Sequence, residues 1–241
     1  MSSSYIPNPN PLMAQSRLPL TIIVAATHSN GIGKAAGLPW HIPSELKYFA
    51  RVTTRLPPSI TSSNAPAGLQ VQNAVVMGRK TWESIPPKFR PLKGRVNVVL
   101  SRDAGSETVK KDGAIWAQSL REAVILLKKL RVGDGTQDIS QEPQSLGFSE
   151  RIARVFIIGG EQIYKAAIEE QEESFVDKVL LTRVEGEWGC DTFFSDSLEE
   201  KDGWLRKSNA DLSEWVGEGV PEGKTKDKEV EFEFCLYERS P

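Results

Sequence analysis

Short apolar runs rich in β-branched residues recur along this chain with helix-like segments between them. No other feature restricts the fold as much. Residues 20–26 (LTIIVAA) form the first run. Residues 73–77 (NAVVM), 96–100 (VNVVL), 155–158 (VFII) and 176–184 repeat its character. Such runs, bounded by polar residues, suit strands covered on both faces. Between them, Ser44 is placed to cap a helix running through residues 49–52, and residues 81–85 make a short helix. Ser119 with Glu122 three residues on reads as a capping box ahead of AVILLKKL, and Gly160 precedes the helical EQIYKAAIEE. Strands alternating with helices predict an α/β fold with one central, mostly parallel sheet flanked by helices. The closing EVEFEFCLYER alternates apolar and charged residues, which suits a half-exposed antiparallel strand. It is expected to pair with a strand near residues 204–207 and to form the sheet edge.

Residues 1–18, rich in Ser, Pro and Asn, read as a disordered or loosely docked extension before a single domain at 19–241. Three polar stretches, near 55–72, 131–150 and 217–229, read as inserted loops. Composition favours tolerated insertions, so 131–150 is expected to be dispensable for chemistry. With 30 Lys and Arg against 32 Asp and Glu, the net charge of −2 argues against nucleic-acid binding through sequence-independent basic contacts. No run approaches the ~18 apolar residues of a membrane span, and the first residues lack the apolar stretch of a secretory signal. Cys190 and Cys235 are too few for a disulfide framework and read as thiols of a reducing, cytoplasmic compartment.

Candidate chemistry gathers just beyond the apolar runs. After the first comes HSNGIGKAAGLPWHIPSELKYF, where Gly31, Gly33 and Gly37 would let backbone approach a ligand, although the spacing is not that of a dinucleotide fingerprint. Taken alone, a GIG is more simply a flexible loop. Glu45 and Phe49, four apart on a helix, would put a carboxyl beside an aromatic and raise its pKa. Taken alone, Glu45 is more simply a partner for the helix dipole. Gly78, Arg79, Lys80 and Thr81 stand where a strand becomes a helix, a natural phosphate site. Ser101 and Arg102 follow another strand, and Gly159 and Gly160 a third. Any one of these cations is more often a solvated surface charge. Their recurrence at three strand ends, where open α/β sheets bind ligands, shifts the reading to a site.

The ordered blocks IIVAAT, NGIGKAAGLPWHIPSELKYF, VVMGRKTWESIP, RPLKGRVNVVLSR, VFIIGGEQIYKAA, VLLTRVEG, CDTFF and EFEFCLYER resemble dihydrofolate reductase over nearly the whole chain. The insertions look like a eukaryotic, fungal-type form. The resemblance implies a dihydrofolate reductase-like fold and NADPH-dependent reduction of dihydrofolate, with hydride to C6 and a proton to N5. Glu45 matches the active-site acid, expected to hold the 2-amino and N3 groups of the pterin. Since the acid faces away from N5, the proton is expected to arrive by a water route. Thr182 matches its hydrogen-bonding partner and Trp40 a tryptophan that holds a water. Ile23, Val24, Leu38, Phe49, Ile85 and Leu92 match the pocket walls, and Arg95 the clamp on the α-carboxylate of the substrate's glutamate tail.

On the cofactor side, the resemblance places Ala25, Ile32 and Gly33 at the nicotinamide and its ribose. Gly78, Arg79, Lys80, Thr81, Leu100, Ser101 and Arg102 surround the phosphates and adenosine. Ile158, Gly159, Gly160, Glu161, Gln162, Ile163 and Tyr164 complete the site, with a cis peptide expected between Gly159 and Gly160. No metal is implied, since His28 and His41 lack a third ligand and are expected to be exposed. The implied partners are dihydrofolate and antifolate inhibitors, with no nucleic acid or membrane, on a monomer. Two other readings stay open. A pyrimidine reductase of the same fold would need neither the acid after LPW nor Arg95. A silent protein that binds NADPH or folate would keep the residues without turnover.

Overall fold

The computed structural model describes residues 17–58, 60, 70–105, 109–131 and 150–239. The expectations for residues 1–16 of the N-terminal extension and for most of the insertions near 55–72 and 131–150 lie outside the described residues, while Leu18, assigned to the extension, is buried at the start of the first strand.

The first apolar run becomes strand β1 (Leu18–Thr27). The others become β3 (Gln70–Gly78), β4 (Arg95–Leu100), β7 (Glu150–Ile157) and β8 (Ser174–Val184). With β6 (Ala114–Ala117) they pair in parallel in the order β8-β1-β7-β3-β4-β6. Side chains alternate faces along a strand, so each run feeds two cores. In β1, Leu20, Ile22, Val24 and Ala26 enter one apolar cluster and Ile23 the other. In β3, Ala74 and Val76 go one way and Val75 and Met77 the other. The first cluster is covered by α3 (Leu120–Leu130) and α4 (Glu161–Glu169). The second is covered by α1 (Pro43–Thr54), α2 (Arg79–Ser84) and α5 (Asn209–Val216). No helix among the described residues is long and apolar enough to cross a membrane.

The C-terminal strand β12 (Val230–Glu238) is antiparallel, as its alternation requires, and it does pair with β10 (Leu205–Arg206). It is not the edge, however. Its other neighbour is β8, which leaves the edge to β10 and to β11 (Lys224–Asp227). Residues 224–227 of the supposed loop are thus one arm of a hairpin. A second edge hairpin pairs β5 (Val109–Lys111) with β6.

The helix starts differ in instructive ways. Ser44 does not cap α1, because Ile42 occupies the cap position without a side-chain acceptor and Pro43 opens the helix. The short helix α2 starts at Arg79, two residues before the expected start. At α3 Ser119 accepts from the Glu122 N–H, but the Glu122 carboxylate turns to the N–H of Gln118, so the box is not reciprocal. A reciprocal box does form at α5, between Ser208 and Asp211.

β2 (Gly31–Gly33) pairs with β9 (Thr192–Phe193). Gly31 is demanded by Cys190 rather than by a ligand: an added Cβ would lie 2.6 Å from the cysteine Cβ and Sγ. After β2 the chain reverses through residues 34–37, with Ala35 and Ala36 at φ 49° and 61°. Left-handed backbone costs an L-residue ~1–2 kcal/mol, and the turn survives with its ends hydrogen-bonded and the Ala35 N–H held by Asp191 Oδ2 at 2.8 Å. Ala36→Gly is therefore expected to raise stability by about 1 kcal/mol, read from urea unfolding. A fall in the midpoint would contradict the strain.

Candidate active site

Glu45 is the third residue of α1 and turns inward at the second core. It is only 6% exposed, and burial pushes its carboxyl up to about 7. The opposing influence is one hydrogen bond, donated by Thr182 Oγ1 at 3.4 Å from the buried strand β8. Phe49, one turn along the helix, is half-buried, so the expected pairing of acid and aromatic on one face is present. A carboxyl that ionises near neutrality between apolar walls can accept a pair of N–H donors when charged.

Burial of this acid also makes stability depend on pH. An unfolded glutamate ionises near 4.5, whereas this one holds its proton to about 7. Stability is therefore full below the lower value and lost as pH rises through the upper one, by up to ~3 kcal/mol. Glu45→Gln should remove this dependence and unfold later than the native chain at pH 8. Parallel urea curves at pH 4.5 and 8 test it, and an equal pH response in both proteins would mean that Glu45 is solvated.

Trp40 is buried against Trp188, edge to face at 5.8 Å, and its Nε1 donor has no partner among the described residues. Such a donor fits a ligand or water atom. Ile23, Ile85 and Leu92 border the same core as Glu45. Val24 does not: strand alternation sends its side chain to the opposite cluster. Leu38, expected as a pocket wall, is 54% exposed on the loop after β2. Leu46 beside Glu45 (44% exposed) and Phe89 are apolar yet exposed, and the sequence reading missed both.

Arg95 begins β4, and burial draws its guanidinium down to about 10, still cationic at neutral pH. Its Nη1 donates to Thr53 Oγ1 at 2.8 Å and its Nε to the Lys93 carbonyl at 3.1 Å. Nη2 has no partner among the described residues. Thr53 lies on α1 and donates in turn to the Phe49 carbonyl at 2.7 Å, so the helix that carries the acid also orients the arginine. The turn between Leu92 and Arg95 is held by Asn97, which accepts from Leu92 N–H and donates to the Leu92 and Arg95 carbonyls, each at 2.9 Å. Asn73 likewise donates to the Thr53 and Arg55 carbonyls at the end of α1. A lone asparagine within each β-branched run was the available signal.

Residues 78–81, 100–102 and 158–164 gather at the carboxyl ends of β3, β4 and β7. The Gly159–Gly160 peptide is cis, as expected. The Gly78 N–H donates to the Gly159 carbonyl at 2.8 Å, joining the turns that open α2 and α4. Neither helix is capped by a side chain, so backbone donors at both starts remain for a ligand. Gly159 has φ +108°, and an added Cβ would meet the Tyr164 hydroxyl at 3.1 Å. An added Cβ at Gly78 would meet Ile163 at 3.1 Å. Tyr164 lies beneath the turn: its hydroxyl donates to the Ile23 carbonyl at 3.0 Å, so it supports the glycines from the core.

Glu161 and Gln162 are exposed on the first turn of α4. Lys80 and Arg102 are exposed, and Arg79, also exposed, faces Glu83 and Asp103 at 3.9 and 3.5 Å. Ser101 is buried at the end of β4 and closes a turn by accepting from Ala104 N–H. Leu100 and Ile32 pack into the first core, so they meet this surface through backbone, whereas Ala25 borders the second core and Gly33 ends β2. His28 and His41 are both exposed.

The chain matches the family model described as dihydrofolate reductase over residues 19–58 and 68–239. It is 37% identical to the dihydrofolate reductase of Pneumocystis carinii over 223 residues, covering 91% of this chain and 96% of that protein. It is 33% identical to that of Cryptococcus neoformans over 246 residues, covering 93% and 96% of the two chains. The solved structure of Schistosoma mansoni dihydrofolate reductase superposes with a TM-score of 0.64 at 31% identity, covering 93% of this chain and all of that one. Sequence blocks, sheet order and these likenesses agree, and the chain belongs to the dihydrofolate reductase family.

Proposed function

We propose that this reductase uses NADPH, and that Glu45 and Arg95 grip the two ends of dihydrofolate on its way to tetrahydrofolate. The observation that carries the reading is Glu45 itself: a buried carboxyl on α1, braced by Thr182 of β8. Glu45 accepts hydrogen bonds from the 2-amino and N3 groups of the pterin, which fixes the ring and favours protonation at N5. Trp40 Nε1 offers its free donor to a water on the route of that proton. Arg95, oriented by Thr53, binds the tail carboxylate. The uncapped starts of α2 and α4, with Lys80 and Arg102 exposed nearby, fit an anionic dinucleotide. NADPH, when bound, supplies the hydride to C6.

Both cysteines are free, one half-buried and one buried, which supports a reducing, cytoplasmic setting. Loss of NADPH absorbance on adding dihydrofolate tests the whole reading, with NADH and a pyrimidine substrate as controls. Binding without turnover would favour a silent module, and turnover of the pyrimidine a different reductase. NADPH should be strongly preferred, because Lys80, Ser101 and Arg102 are the groups offered to its 2′-phosphate. A hydrogen bond to a charged group is worth ~1.5–3 kcal/mol, so Arg102→Ala should weaken NADPH roughly tenfold to a hundredfold and NADH hardly at all. Equal losses in titrations with the two cofactors would place Arg102 elsewhere.

A further inference from the structure

Helix α1 carries Glu45 and Phe49 and orients Arg95 through Thr53, so its placement sets the substrate side of the site. Its own sequence does little to fix its ends. Ile42 provides no cap and Pro43 has no N–H, leaving the Ser44 N–H as the exposed donor beside Glu45. That donor is taken by Asp227 Oδ2 at 2.7 Å, from β11. At the other end, Glu218 accepts from Arg51 Nε at 3.0 and 2.9 Å and from Arg55 Nη2 at 2.9 Å. Arg55 Nη1 also donates to the Gly217 carbonyl. Between the ends, Tyr48 and Val52 share an apolar cluster with Leu212, Val216 and Val220.

Both grips therefore come from residues 208–227, a segment with hydrogen bonds of its own. Its helix α5 starts with the Ser208–Asp211 box and ends on Gly217 at φ +73°. Ser213 Oγ then accepts the Val220 N–H at 3.0 Å. None of the hydrogen bonds or ion pairs that segment 208–227 makes among the described residues reaches the turns at 78–81, 101–102 or 159–164.

We propose that segment 208–227 is a clamp on α1 that sets affinity for dihydrofolate while leaving the cofactor side untouched, with Asp227 and Glu218 as positioning residues. The inference rests on the reading that Glu45 and Arg95 hold the substrate. Without Asp227 the first helical turn loses the one outside acceptor it has among the described residues and frays, and Glu45 is the third residue of that turn. Without Glu218 the cations of the last turn lose their anchor, and the helix end that bears Thr53 shifts.

The experiment measures KM for dihydrofolate, kcat and the NADPH Kd in Asp227→Ala, Asp227→Asn, Glu218→Ala and Glu45→Gln. Asp227→Ala and Glu218→Ala are each expected to raise KM about fivefold to tenfold, with the NADPH Kd held within about twofold. Asp227→Asn keeps an acceptor for the Ser44 N–H and should restore KM to within about twofold of the native chain. Where Glu218→Ala does not fold, Glu218→Gln keeps the side-chain length and should raise KM about twofold to fivefold. An unchanged KM, or a rise matched by an equal rise in the NADPH Kd, overturns the clamp. If Glu45→Gln is impaired while the clamp variants are not, the clamp alone is wrong. A Glu45→Gln protein with native kinetics overturns the reading of the site and the clamp with it.

Discussion

Replacing Glu45 by glutamine is expected to cost this enzyme ~10²–10⁴ of its turnover near neutral pH, the usual reach of general acid–base assistance. Glutamine keeps the volume and one acceptor but loses the charge. It can still receive one N–H from the pterin, yet its amide nitrogen then opposes a second donor. The ring is left without the negative charge that favours a proton on N5. The loss is expected on the substrate half of the site, because Glu45 is braced by Thr182 and makes no hydrogen bond to the glycine turns among the described residues. Single-turnover oxidation of NADPH at pH 7 should show the full deficit, with the NADPH Kd changed less than about twofold. A variant that turns over at the native rate would free Glu45 from the chemistry.

Arg95→Leu should act on the other end of the substrate. A truncated partner of a buried charge pair costs ~2–5 kcal/mol, which is roughly thirtyfold to several thousandfold in dihydrofolate affinity. The guanidinium is half-buried, two of its nitrogens are committed to Thr53 and the Lys93 carbonyl, and Nη2 has no partner among the described residues. Inhibitors that carry the pterin-like ring but no glutamate tail should bind almost as before. Calorimetric titration with both ligand types separates the cases. If the tail-less inhibitor weakens as much as dihydrofolate, Arg95 is supporting α1 through Thr53 rather than holding the tail.

The parallel core of the sheet was legible because strands buried on both faces need continuous apolar runs, and those of residues 20–26, 73–77 and 96–100 have no other comfortable fate. Glu45 was legible as an acid beside Phe49 on one helical face. The sequence could not reveal what long-range partners decide. Ser44 looked like a cap, but the acceptor that serves α1 is Asp227, 183 residues away in the chain. Segment 217–229 looked like a loop because its Gly, Pro and charges are exposed in either form. Pairing with β12 makes part of it a strand. Val24 and Ile23 are equally apolar neighbours, and only the register of β1 sends one to each face.

The most direct test of the account is the pH dependence of turnover in the native enzyme and in Glu45→Gln, both at saturating NADPH. The carboxyl ionises near 7 in the free protein because burial disfavours its charge. The Glu45→Gln deficit is expected to be greatest at neutral and alkaline pH. It should shrink as pH falls, because dihydrofolate protonated in solution no longer depends on the enzyme's carboxylate. A deficit of the same size at every pH would contradict the assignment of Glu45 to the protonation step.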